Sequence, residues 1–267
     1  MPFTPSHAVV ALPFVRSPLI PAAIGVGAMA PDLPLFVRGV GPDYDTTHDL
    51  RWVPLTAVVA LVLLLAWRAV LRPATRELSP RWLASRLPDD WDAPAAPSLR
   101  ATFAQRGRAR ASWRGGAILA ISLVVGVVSH IVWDLFTHEG RWGSEVLPAL
   151  DDAWGPLTGY KWLQHGSSAI GLVILAVWGM GWLKARDAAE SLDRVLPAGV
   201  RWAWWASLPA TLMFAWGLGL SAYGPFTAEW TIAHLAYRVL PPACAVWACA
   251  TLLLCAAIQA LRVRRAS

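Results

Sequence analysis

The sequence predicts an all-α fold: a polytopic transmembrane helix bundle with five spans and a broken or re-entrant helix pair at the N-terminus. Three observations carry that expectation. Of 267 residues, 56% are hydrophobic and only 15% charged, with a mean hydropathy of +0.46, which is too apolar for an ordinary soluble domain of this length. Apolar runs of about 20 residues, enough to cross a hydrocarbon core, recur along the chain. Basic residues gather in alternate connections between those runs, as they do when such connections face the cytoplasm. The 17 Trp and 21 Pro fit the same class, since Trp favours membrane interfaces and Pro is tolerated where neighbouring helices satisfy the backbone.

The first element is interrupted. Between residues 7 and 30, Pro13, Arg16, Ser17, Pro18 and Pro21 break an otherwise apolar stretch. Two short helical pieces suit it better than one straight helix. The leading MPFTPSHAVVALPFVRSP lacks a basic n-region and a small-residue cleavage site, so it reads as part of the mature protein.

The spans then follow at residues 53–71, 116–135, 166–183, 202–222 and 236–261. The connection 72–115 holds nine Arg, 184–201 holds four basic residues and the tail RVRRAS three, which places them in the cytoplasm. The connections 31–52, 136–165 and 223–235 hold two, two and no basic residues and are expected outside. Within the first cytoplasmic connection, residues 88–112 read as a flexible Arg/Pro-rich loop, with a short amphipathic helix at 75–87 before it. One integral membrane domain, 1–267, is the economical domain count. The net charge of +6 is explained by topology and lipid head groups rather than nucleic acid, for which no aromatic-basic pattern is present. Cys244, Cys249 and Cys255 lie in one apolar run without metal-ligand spacing and read as core residues.

One stretch departs from the apolar pattern. GVVSHIVWDLFTHEG, residues 126–140, carries His130, Asp134 and His138 at intervals of four. On a continuing helix they form a stripe that drifts about 40° per step, and imidazole with carboxylate suits zinc or another divalent transition metal. Interhelical hydrogen bonding is the alternative reading of such groups. Three ionisable groups costing about 2–3 kcal/mol each at the bilayer centre favour a function instead. Asp32, His48 and His165 fall at the same outer face in this topology, and a re-entrant N-terminal hairpin returns His7 to it. Asp43, Asp45 and Asp49 surround His48, and His234 stands alone in its connection. Asp134 and Glu139 are the candidate general bases for a metal-bound water. Lys161 and Gln164 are placed either to meet an anionic head group or to anchor a helix end.

Four blocks, MPFTPSHAVVALP, IGVGAMAPDLPLF, SHIVWDLFTHEGRWG and YKWLQHGSSAIGL, resemble the recurring blocks of a bacterial membrane family, the domain of unknown function 4184, over most of residues 1–183. That family is more distantly similar to inner-membrane metal-dependent hydrolases and zinc-dependent phospholipase C. The resemblance implies His7, Asp32, His48, His130 and Asp134 as metal ligands, with His138 and His165 in the closer family's own blocks. The relatives carry a basic residue before their TH pair, where this chain has TTHDL. The implied protein is a multi-pass protein of the bacterial inner membrane, with a divalent metal, zinc by its donor set. Membrane lipids are its partners, and it hydrolyses a lipid-like ester or phosphoester at the outer face. The competing expectations are a non-enzymatic protein with an interhelical His/Asp hydrogen-bond or proton-relay network, and a metal transporter. The network reading expects polar pairs spread through the depth of the bundle.

Overall fold

The computed structural model describes residues 3–105 and 110–266. Helices dominate, and the one strand ladder among the described residues is a two-residue pairing of Ala153–Trp154 with Leu157–Thr158. Among the described residues, four helices are long and apolar enough to cross a membrane: Leu50–Leu78, Trp113–Thr137, Gly159–Lys184 and Ile232–Arg265. The fifth expected span, 202–222, lies inside the Ala198–Tyr223 helix, which is not among those four; its apolar content rests on Trp, Ala and Gly more than on aliphatic side chains. Large aliphatic and aromatic residues stand outward on these helices, among them Val62, Val177, Phe214 and Leu253. Such a surface is compatible with a multi-pass membrane protein, whose solvent is hydrocarbon rather than water.

The chain divides into two compact units. The first comprises Met1–Leu33, Pro42–Ala66 and Pro97–Ala185. Its N-terminal stretch forms two pieces, as the prolines dictate: a 3-10 helix, Thr4–Phe14, and an α-helix, Pro21–Met29. The two pieces pack on each other, with Gly25 opposite Ala8 and Ala11. The Pro21–Met29 helix then lies against Trp113–Thr137 through Gly27 and Gly126. A Cβ on Gly126 would come within 2.2 Å of the Ile24 carbonyl oxygen, and one on Gly27 within 2.5 Å of that of Leu123. Small residues at such a crossing let two helix backbones touch where no larger side chain fits.

Trp113–Thr137 begins at Ser112, whose hydroxyl accepts from the Gly115 N–H, and stops where His138 turns extended. Gly140, at φ +64°, completes the reversal in a conformation that favours glycine.

The second unit comprises Pro34–Gly41, Trp67–Ala96 and Arg186–Ser267. The stretch read as one amphipathic helix at 75–87 is two, Arg72–Leu78 and Arg81–Ala84. The stretch read as a loop contains short helices at Asp89–Asp92 and Ala95–Thr102, while residues 106–109 of it lie outside the described residues. Its acidic residues are tied down by cations: Arg76 pairs with Asp89 at 2.9 Å and Asp92 at 2.7 Å, and Arg262 pairs with Asp92 at 3.0 Å. Beneath them Glu77, fully buried, accepts the N–H groups of Val195 and Leu196 and faces Arg201 and Arg262.

Candidate metal centre

Three elements of the first unit converge on one buried cluster, and a fourth packs beside it. Asp32 comes from the Ala30–Asp32 turn that ends the Pro21–Met29 helix. His48 directly follows the one-turn helix Tyr44–Thr47, which Asp43 caps by accepting the Thr46 N–H at 2.8 Å. Hydrogen bonds from the Thr46 side chain and then from its backbone N–H hold the Asp43 carboxyl below the usual carboxylate range. His130 and Asp134 lie one turn apart near the end of Trp113–Thr137. The last element is the 3-10 helix that carries His7.

Asp32, His48, His130 and Asp134 are all buried, and each offers one ligand atom within 4.8 Å of the others. The Nε2 atoms of His48 and His130 are 3.1 Å apart. Asp32 Oδ1 is 3.7 Å from each of them. Asp134 Oδ2 is 3.5 Å from His48 Nε2 and 3.4 Å from His130 Nε2. A tetrahedral zinc site with bonds of about 2.0–2.1 Å has ligand atoms about 3.3–3.4 Å apart. The five separations scatter around that value, so the donors stand where one cation can meet all four.

The hydrogen bonds behind the cluster decide which atoms face inward. His130 donates from Nδ1 to the Ala28 carbonyl at 2.7 Å, and His48 from Nδ1 to that of Tyr44 at 2.9 Å. A carbonyl only accepts, so in the neutral imidazoles both protons sit on Nδ1 and both Nε2 lone pairs point at each other. Asp32 Oδ1 and Asp134 Oδ2 likewise have no hydrogen-bond partner. Four buried lone-pair donors with nothing to accept from are costly together and become favourable around a cation. This buried Asp/His group has the chemistry of a metal site.

The outer contacts fix orientation. Thr4 donates its hydroxyl to Asp32 Oδ2 at 2.6 Å, and Thr47 donates to the Pro31 carbonyl at 2.7 Å. The Tyr44 ring stacks on His48 with centroids 3.7 Å apart. None of these partners carries a signal in the sequence beyond its place beside a candidate ligand. A water-sized opening of about 10 Å³ reaches the cluster between Tyr44, His48, Ile131, Asp134, Leu135, His138 and Arg141.

The other sequence candidates stand apart from the four. His7 is buried and stacks on His130 with centroids 4.0 Å apart, but its Nε2 lies 3.9 Å from Asp134 Oδ1, beside the cluster rather than in it. His138 lies past the helix end, so the expected stripe of three breaks there. Its Nδ1 is 3.2 Å from the Asp134 carbonyl and 3.5 Å from Asp134 Oδ2. Burial pushes its imidazole below the usual histidine range. His165 is exposed, one helical position past buried Gln164, which donates to the Thr137 carbonyl at 3.2 Å and so anchors the helix start. Lys161 lies over the Tyr160 ring. Glu139 is exposed and accepts from the Tyr160 hydroxyl at 3.1 Å, away from the cluster. Asp45 is exposed, Asp49 pairs with Arg51, and His234 is an exposed residue bonded to Thr231.

A family model described as Domain of unknown function (DUF4184) matches residues 1–260. No curated protein and no solved structure matches the chain.

Proposed function

Since the chain belongs to the family of the domain of unknown function 4184, which brings no activity with it, we propose its function from the site itself: a multi-pass, metal-dependent hydrolase of the bacterial inner membrane. It acts at the outer face on a lipid-like ester or phosphoester. The observation that carries this reading is the convergence of four buried donor atoms from Asp32, His48, His130 and Asp134 within 4.8 Å of one another.

Two imidazoles and two carboxylates suit zinc among the divalent metals. A divalent cation held there supplies Lewis-acid polarisation of a phosphoryl or acyl oxygen and a water acidic enough to attack near neutral pH. The chain's own groups do the rest. Asp32 and the two histidines are locked by Thr4, Ala28 and Tyr44, so the donors keep their geometry without rearrangement. Asp134 offers Oδ2 to the cation position and leaves Oδ1 beside His7 and Thr137, where it takes a proton from the attacking water. The water-sized opening beside Asp134 and His138 is the entry for that water.

The three donors that adjoin spans, His48, His130 and Asp134, sit at corresponding ends of them. His48 precedes the span Leu50–Leu78, and His130 and Asp134 close the span Trp113–Thr137, whose far ends adjoin the Arg-rich connection. With that connection cytoplasmic, the site is at the outer face. Polar groups gathered at one depth also favour this reading over a relay, for which pairs at successive depths are expected.

Metal analysis of the detergent-purified protein, followed by hydrolysis of phospholipid vesicles with and without chelator, tests the proposal. One equivalent of divalent metal and chelator-sensitive hydrolysis are expected. A wild-type protein purified without metal and unable to take up added zinc would end it.

A further inference from the structure

A second feature of the first unit reaches the same cluster from the side. A cleft of about 630 Å³ lies between the Thr4–Phe14 helix and the spans Trp113–Thr137 and Gly159–Lys184. That size is within the roughly 300–1,000 Å³ of small-molecule sites. Val9, Val10, Val132, Ile170 and Ile174 line it with Trp133, and no Asp, Glu, Lys or Arg does. Along Gly159–Lys184 it runs from Ser167 to Ile174, two helical turns into the span.

One polar group with no partner stands in its wall. His7 is more than nine-tenths buried, its Nε2 has no hydrogen-bond partner, and that atom lies 3.9 Å from Asp134 Oδ1. His7 is therefore the joint between an uncharged cleft and the metal cluster.

We propose that this cleft takes one hydrocarbon chain of a membrane lipid, entering sideways from the bilayer, with the lipid's ester or phosphoester at His7 and the Asp134 end of the cluster. The inference rests on the reading of that cluster as a hydrolytic metal site. The occupant follows from the surroundings: a cleft walled by two apolar spans opens into acyl chains, its lining holds no charged side chain among the described residues and its serines are few beside its aliphatic groups, and the unpartnered Nε2 of His7 waits at the head-group end. His7 touches the substrate, donating or accepting a hydrogen bond at the scissile group, and is not a ligand of the cation. This assigns His7 a task distinct from that of the four clustered donors and explains why a buried imidazole in the cleft wall leaves its Nε2 without a hydrogen-bond partner.

The probe is phosphatidic acid with a diazirine in one acyl chain, diluted into phosphatidylglycerol nanodiscs holding the full-length protein and mapped by peptide after illumination. Labelling of residues 129–133 and 167–174 is expected to saturate and to be competed away by unlabelled phosphatidic acid, whereas labelling of Ala198–Tyr223 rises linearly as for any lipid-facing helix. Val132→Trp and Ile174→Trp, which fill the cleft, should each reduce the saturable component to that linear background while metal content stays at the wild-type level. Linear labelling throughout in the wild type, or saturable labelling unchanged in both variants, overturns the inference. Metal measured in the same preparations separates the two readings: cleft labelling that saturates in a protein unable to bind metal sinks the hydrolytic reading alone.

Discussion

His48 and His130 present their Nε2 atoms to each other at 3.1 Å, while both Nδ1 atoms are committed to backbone carbonyls. Two neutral imidazoles so held cannot hydrogen-bond to each other, and Asp32 and Asp134 add two more acceptors. Held in this cluster, a divalent cation would be met by these four donors, as the proposed function requires.

Removing that cation should therefore lower stability as well as activity. At a metal concentration a thousandfold above Kd, binding contributes about 4 kcal/mol to the folded state. Chelator is expected to lower the thermal midpoint in detergent, and added zinc to restore it. His48→Ala and His130→Ala should abolish both the metal content and this shift. His165→Ala and Glu139→Gln should leave both unchanged, since neither side chain reaches the cluster. Loss of metal in either of those two controls would contradict the geometry.

Under the proposed function Thr4 acts on metal binding through Asp32, to which its hydroxyl donates at 2.6 Å. Partners of this kind typically contribute about 10–100-fold to metal affinity. Thr4→Val should weaken zinc binding by that factor in a competition titration against a chromophoric chelator, with the thermal midpoint of the metal-free protein unaltered. An unchanged affinity would mean that Asp32 is held by other contacts.

The crossing of Gly27 and Gly126 places His130 one helical turn beyond the contact, facing Ala28. A methyl group on Gly126 meets backbone that cannot swing aside. Gly126→Ala should cost about 1–3 kcal/mol, as overpacking does, and Gly126→Val more. Both should also lose metal, because separating these helices withdraws the Ala28 carbonyl from His130. Thermal denaturation combined with metal analysis checks both effects. A Gly126→Val protein with native stability would refute the close approach.

In the second unit, Glu77 is a buried carboxylate held by two backbone N–H groups and facing two guanidinium groups. Removing one partner of such a set strands the others, at about 3–5 kcal/mol for a fully buried pair. Glu77→Ala is expected to free the Val195–Leu196 segment, read out as new protease cleavage between residues 186 and 201 with the metal content unchanged. Cleavage no faster than in the wild type would show that the segment is held without Glu77.

Much of the design is local and hence readable from the chain. Apolar runs near 20 residues, prolines that split the first apolar stretch, and the i, i+4 pair His130 and Asp134 express periods and composition that no distant contact alters. Where reading failed, an end point or a partner was at stake. The stripe from His130 to His138 assumed a helix that in fact stops at Thr137. Residues 75–87 read as one helix and 88–112 as a loop, yet the described residues there form short helices whose acidic groups pair with Arg76 and Arg262. Nothing in the sequence singles out Glu77, because its partners lie more than a hundred positions away.

By itself, then, the sequence determined the class of the protein, its apolar helices and the residue types available for a metal, since these depend on composition and on spacing along one element. Only the tertiary structure decided membership of the cluster. It drew Asp32 and His48 onto His130 and Asp134, left His138 and His165 outside, and set His7 at the wall of an apolar cleft. Coordination needs atoms within a few ångströms in three dimensions, and distance along the chain carries no such measure.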